Sequence, residues 1–188
     1  MNTTETLYAA KKIAPPKWLP GSVQYECIMG SQAYGVNEPD SDLDIHGFCT
    51  PPKELLFPHQ VGGEIEGFGT RGKRFNQFQQ HHIKHNNKEY DIHIYSIVRY
   101  LHLLMDGNPD KIDSIFVPQN CILKISAVGQ MVREKRHMFL SKKCFHNLKG
   151  YAYSQLHKCE VKEDKLISIR KFEDIHKISS DVTFKEVE

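Results

Sequence analysis

The sequence is short of the features that would staple a fold together covalently or through a structural metal. Its 188 residues hold five cysteines, Cys27, Cys49, Cys121, Cys144 and Cys159, an odd and widely spaced set with no C-x-x-C. That spacing supports neither a disulfide framework nor a zinc ribbon. Several of the five lie in apolar surroundings, where cysteine serves as a small buried hydrophobe. No apolar run approaches the ~20 residues that span a bilayer. Met1-Asn-Thr-Thr-Glu-Thr6 has neither the basic nor the apolar region of a secretory signal, which points to the cytoplasm. There is no internal repeat and no low-complexity segment. With 39% hydrophobic and 26% charged residues, the chain is not a disordered one. Its length suffices for one core and a small helical appendage.

Two familiar signatures are also missing. Glu64-Ile-Glu-Gly67-Phe-Gly69-Thr-Arg-Gly72-Lys73-Arg74 is glycine-rich but not a P-loop. Arg74 follows Lys73 where Ser or Thr would hold Mg²⁺, and the upstream spacing is wrong. This run reads as a flexible loop near the site, and its basic cluster Arg71, Lys73 and Arg74 either touches phosphates or is simply exposed, exposure being the reading favoured for an irregular loop. Histidines His81, His82, His85 and His93 cluster, but no H-x-x-x-H lies on a clear helix, so no structural metal is expected. On a regular strand His81 and His82 point to opposite faces, so at most one reaches a cleft.

What the chain does carry is one dense stretch. Ile28-Met29-Gly30-Ser31-Gln32-Ala33-Tyr34-Gly35 is followed by Ser41-Asp42-Leu43-Asp44-Ile45. A glycine at the start of a short helix lets backbone N–H groups approach an anion closely. On a strand Asp42 and Asp44 project together while Leu43 and Ile45 enter a core. A phosphate cradle beside paired carboxylates suits metal-dependent phosphoryl or nucleotidyl transfer.

The rest of the chain reads as strands first and helices second, an α+β organisation. Residues 3–13 form a short helix that Pro15-Pro16 ends, and Pro20-Gly21 is a turn. Strands are expected at 22–29 and 42–49. A hairpin follows, 79–85 and 89–96, turning at Asn86-Asn87. Ser96 caps a helix to Asp106 with Ile97, Tyr100, Leu101, Leu104 and Met105 on one stripe, and Gly107 stops it. Asn108-Pro109 starts another through Phe116. Residues 118–125 are short and apolar. A helix at 127–140 turns Val128, Met131, Val132 and Met138 inward. Ser141 caps a helix at 142–159, and another is expected at 163–178. Thr183 to Glu188 reads as a helix just beginning, so more helical residues are expected to follow. Residues 1–117 are taken as the catalytic domain and 118–188 as a helical region. From Arg133 to Lys171 the chain has eleven Lys/Arg against four Asp/Glu, a net +7 that suits a polyanionic partner.

Gly30-Ser31, the aromatic–glycine pair Tyr34-Gly35 and Ser41-Asp42-Leu43-Asp44 occur in the order that marks the DNA polymerase beta-type nucleotidyltransferase superfamily. The chain most resembles its bacterial and phage predicted-nucleotidyltransferase branch. The resemblance implies the nucleotidyltransferase fold, a small mixed sheet with flanking helices followed by a helical half, and chemistry with two Mg²⁺ or Mn²⁺ ions. It also implies a third carboxylate on a neighbouring strand. Asp91 fits, because its strand places Ile92 and Ile94 on one face and Asp91 with His93 on the other.

In that family scheme Asp42 and Asp44 hold both ions and the triphosphate of an NTP such as ATP. Asp91 holds the ion that activates the incoming hydroxyl, while Gly30 and Ser31 bind the β- and γ-phosphates. A third resemblance covers 141–158. Phe145, Leu148, Ala152 and Leu156 form an apolar stripe, and Lys142, His146, Lys149 and Tyr153 form a second one. Lys142 and Lys149 would meet the triphosphate there and Tyr153 the base. The expected acceptor is an RNA or tRNA end. Transfer to a protein or small-molecule hydroxyl, or a non-catalytic nucleotide- or RNA-binding module, are the alternatives.

Overall fold

The computed structural model of the protein describes residues 2–36, 38, 41–57 and 75–161. The chain divides into two compact units, Met1–Phe145 and His146–Glu188. Arg71, Lys73 and Arg74, the side chain of Cys159 and the helix expected at 163–178 lie outside the described residues.

The first unit is built on a five-stranded mixed sheet. Its strands are β1 (Val23–Ile28), β2 (Leu43–Cys49), β3 (Gln77–His85), β4 (Lys88–Ser96) and β5 (Ile122–Ile125), in the order β3-β4-β2-β1-β5. β2 and β4 run parallel, and every other neighbouring pair is antiparallel. Helices flank this sheet, as expected of a nucleotidyltransferase fold.

Strand alternation sorts the side chains between two faces. On one face Leu43, Ile45, Cys49, Ile83, Ile92 and Ile94 are buried against Leu7, Ile13 and Leu19. Leu7 comes from α1 (Thr3–Ala9) and Leu19 from α2 (Leu19–Ser22). The other face carries Tyr25 and Phe48, ring centroids 5.8 Å apart, and Phe48 packs at 4.8 Å on Tyr100 of α5 (Ile97–Met105). The Tyr25 hydroxyl donates to the Ser114 carbonyl of α6 (Pro109–Phe116) at 2.8 Å. That bond satisfies a phenol which burial, the leading cause, keeps far from ionising.

Local chemistry explains the boundaries. Asn86 and Asn87 turn the β3–β4 hairpin with φ of 48° and 57°, the left-handed pair that a tight hairpin turn requires. Ser96 accepts the Arg99 N–H and Asn108 the Lys111 N–H, capping α5 and α6 as expected. Ser141 accepts the Cys144 N–H at 3.2 Å and starts α8 (Lys142–Val161). The first helix starts at the expected Thr3, where Asn2 and Glu5 form a capping box, but it is shorter than 3–13: Ala10 caps its end and Lys11 turns left-handed at φ 55°. Pro20 and Gly21 belong to the single helical turn of α2, Pro20 sitting in its first turn. α3 (Gly30–Tyr34) ends on Gly35 at φ 70°, and α4 (Lys53–Leu56) is one turn after Pro51-Pro52. Cys27, Cys49, Cys121 and Cys144 are free and buried. Among the described residues no helix is long and apolar enough to cross a membrane.

The 127–140 helix is corrected in length and in orientation. α7 spans Ala127–Glu134, and Arg136–Phe139 forms a separate 3₁₀ turn. Val128, Met131 and Met138, expected inside, are exposed. The helix meets the sheet through Gly129, where a Cβ would lie 2.5 Å from the Gln24 carbonyl oxygen. Arg133, on the same side, donates to the carbonyls of Ile115 (2.8 Å) and Val117. A small residue and a guanidinium with fixed acceptors thus take the inward positions that apolar side chains were expected to fill.

Glu26 of β1 is fully buried and ties the sheet to α1. Its carboxylate accepts the Thr3 N–H (2.7 Å), the Thr4 N–H (3.0 Å) and the Thr4 hydroxyl. Burial pushes its pKa up, and the Thr4 and Thr3 bonds work against that. Glu26→Ala strands these donors at a helix start, so unfolding by urea should show a loss of about 2–3 kcal/mol.

Candidate functional site

Asp42 immediately precedes β2, Asp44 lies within it, and Asp91 lies within β4. Because β2 and β4 are parallel and in register, Asp44 pairs directly with Asp91, and His46 with His93. Ligand oxygens of Asp42, Asp44 and Asp91 fall within 4.8 Å of one another, with Asp42 exposed and the other two half-buried. The parallel register of β2 and β4, with Asp42 just ahead of β2, brings the three together.

Gly30 completes the corner. It opens α3 at φ 65°, and a Cβ built on it would collide with Asp44 Oδ2. Only a residue without a side chain lets this backbone lie against the carboxylate. Ser31 follows in the same helix and is half-buried. The Tyr34 hydroxyl donates to Asp113 Oδ2 at 2.7 Å, linking α3 to α6.

Of the three carboxylates, Asp44 bears the cost of this crowding. The Asp44 pKa is raised, first by burial and then by repulsion from Asp42, Asp91 and Asp110. Asp91 goes the other way. Burial opposes its charge, but hydrogen bonds from His81 and from the His82 backbone outweigh burial and bring its pKa below the usual range. A cluster of three carboxylates, all hard oxygen donors, fits a divalent cation of the Mg²⁺ or Mn²⁺ type. The donor set is wrong for a soft metal.

Behind the carboxylates runs a line of polar groups, of which strand alternation marks only His93, on the Asp91 face and so placed to assist the site or orient substrate. His81 Nδ1 lies 2.7 Å from Asp91 Oδ2. The His81 and His93 rings are 4.8 Å apart, and His93 and His46 are 4.9 Å apart. His46 Nδ1 is 3.0 Å from Lys111 Nζ, and Lys111 pairs with Asp110 at 2.7 Å. Lys111 is 2% exposed and also sits 4.4 Å from the Tyr95 ring centroid. A lysine has no acceptor, so His46 Nδ1 accepts from it and the ring stays neutral. Asp110 Oδ1, 3.7 Å from the same nitrogen, therefore faces no charged imidazole.

The His46 pKa is pushed down to about 3, by burial first and by Lys111 next. His93 is lowered by the same two causes in the same order. Lys111→Met should raise the His46 pKa in an NMR titration of the ring, the direction set by losing the cation. The only sign of Lys111 in the sequence is its place one turn before Ile115, on the side of α6 that carries apolar residues.

The remaining expected site residues lie on α8. Lys142 begins that helix within the first unit. Lys149 and Tyr153 belong to the second, where Lys149 Nζ lies 5.8 Å from the Tyr153 ring centroid, so the two share one side of the helix.

A model of the family described as "RNA repair pathway DNA polymerase beta family" matches residues 5–172. The "Uncharacterized 38.9 kDa protein in nrdC-mobD intergenic region" of Enterobacteria phage T4 is 27% identical over 143 residues, 75% of this chain and 40% of that protein. The chain therefore spans about two fifths of the length of this curated relative. No solved structure matches it.

Proposed function

Because the chain belongs to the RNA repair pathway DNA polymerase beta family, a nucleotidyltransferase-type family, we propose that it moves a nucleoside monophosphate from an NTP to a hydroxyl, with an RNA end as acceptor. The observation that carries this proposal is the convergence of Asp42, Asp44 and Asp91 on one point beside Gly30. RNA as acceptor is supported by the pathway in the family's description and by the net +7 between Arg133 and Lys171.

Asp42, Asp44 and Asp91 would hold two divalent cations. Bound there, Mg²⁺ or Mn²⁺ would offset the charge of the triphosphate and lower the pKa of the acceptor hydroxyl. The Gly30 backbone and Ser31 donate hydrogen bonds to the β- and γ-phosphates. The Asp91 carboxylate accepts the proton of the attacking hydroxyl, and pyrophosphate leaves. Lys142, Lys149 and Tyr153 share a helical stripe whose residue types suit a triphosphate and a base, the role that the resemblance of 141–158 implies.

The test incubates the protein with each labelled NTP, Mg²⁺ or Mn²⁺, and a mixed pool of RNA, protein and metabolites. Label is expected on RNA with matching release of pyrophosphate. Label confined to protein or metabolites would remove RNA as acceptor. No metal-dependent pyrophosphate release from any pool would leave a binding module instead. A nucleotide titration of Lys149→Ala checks α8, where unchanged triphosphate affinity would remove Lys149 from the site.

A further inference from the structure

We propose that the β-bulge at His81-His82 is a clamp that holds Asp91 in one orientation, with His81 as a positioning residue for the third carboxylate. This rests on the assignment of Asp42, Asp44 and Asp91 as cation ligands. β3 and β4 are paired up to Gln80↔Ile92 and again from Ile83↔Tyr90. Between these pairs two residues, His81 and His82, face the single residue Asp91. The extra residue breaks the alternation that would otherwise send His81 and His82 to opposite faces.

Both members of the bulge are then used on the same side chain. The His82 N–H donates to Asp91 Oδ1 at 2.7 Å, and His81 Nδ1 donates to Asp91 Oδ2 at 2.7 Å. An ionised carboxylate has no proton to give, so the ring nitrogen is the donor. His82 reaches its position with φ 55°, a conformation that costs a residue with a side chain and persists where the surroundings fix it. One such fixing contact is His82 Nδ1 to Glu89 Oε1 at 2.6 Å. The His81 and His93 rings meet edge to face with centroids 4.8 Å apart, a contact that restrains the plane of His81.

An unrestrained aspartate carboxylate rotates broadly about its last torsion. With a donor fixed on each oxygen, Asp91 turns its remaining lone pairs towards Asp42 and Asp44 before any cation arrives. Support of this kind, from groups that touch the ligands and not the ion, governs affinity as well as rate.

The experiment uses Mn²⁺ alone with the full chain and no nucleotide, following free ion by electron paramagnetic resonance alongside thermal melting. His81→Ala should weaken Mn²⁺ binding about 10–100-fold with an unchanged melting temperature. His81→Asn, whose amide nitrogen replaces Nδ1, should recover affinity to within about threefold of the parent. Asp91→Ala should bind at least as weakly as His81→Ala. Parental binding by His81→Ala, or no recovery in His81→Asn, overturns the clamp while leaving the carboxylates assigned if Asp91→Ala has lost affinity. Parental binding by Asp91→Ala overturns both.

Discussion

Asp44→Asn is expected to lower metal-dependent nucleotidyl transfer by at least about 10³-fold while leaving the protein folded. Asp44 is the carboxylate on which the corner converges. It pairs with Asp91 across the strands, shares a 4.8 Å cluster with Asp42, and lies against the Gly30 backbone. An amide keeps its shape and loses its charge. Stability separates a chemical role from a structural one. The Asp44 pKa is raised in the fold by burial and by its acidic neighbours, so the folded state holds that proton more tightly than the unfolded chain does. Between the unfolded and folded pKa values the fold therefore loses stability as pH rises, and above both it carries the full penalty of an ionised Asp44. Asparagine removes that penalty. At neutral pH without metal, Asp44→Asn should melt at or above the parent temperature, with transfer lost. Lower activity with a matching drop in melting temperature would assign Asp44 to structure. Asp42→Ala and Asp91→Ala should likewise abolish transfer with little effect on folding, and full activity in either would sink the assignment.

Gly30→Ala is expected to cost about 100-fold in transfer, comparable to displacing a reacting group by about 1 Å. Two costs combine at this position. The left-handed φ of 65° strains any side chain by about 1–2 kcal/mol, and the new methyl collides with Asp44 Oδ2. Gly35 supplies a matched control five residues away. Its φ is 70°, but nothing lies within 4 Å of a Cβ built there. Gly35→Ala should show the strain alone, a modest fall in melting temperature with transfer largely kept. Equal loss of transfer in the two variants would mean that backbone strain, and not approach to the carboxylate, explains the first.

The parts of the molecule legible in the sequence are those set by local rules. Period-two alternation placed Asp42 and Asp44 on one face and matched Asp91 to it, because each strand's buried isoleucines declare which side faces the core. Ser96, Gly107, Asn108 and Ser141 mark their helix ends through side-chain or backbone chemistry confined to one turn. What stayed hidden depends on a distant partner. The bulge at His81-His82 exists only relative to β4, so the single strand reads as regular. Lys111 stands on the apolar side of α6, but its partners, His46 on β2 and Tyr95 on β4, are far away in the chain. α7 was turned wrongly because its contact with the sheet is a glycine, which leaves no hydrophobic mark, while Val128, Met131 and Met138 do. Ile122–Ile125 is too short and too weakly patterned to announce itself as the strand that borders β1.

The parallel pairing of β2 with β4 also separates the contacts around Asp91 into a local and a distant set. Asp91 and its histidine donors lie on one hairpin, ten residues apart in the chain for His81. Short loops close quickly and at little entropic expense. Asp44 reaches Asp91 only after the chain has crossed from β2 through α4 and the length of β3, a non-local parallel contact of the kind that slows folding. The contacts that orient Asp91 are thus local to one hairpin, while the carboxylate cluster depends on the non-local pairing. The acidic corner closes with the central strands of the sheet, so a partly folded chain lacking that pairing has no place to gather the charge that the chemistry needs.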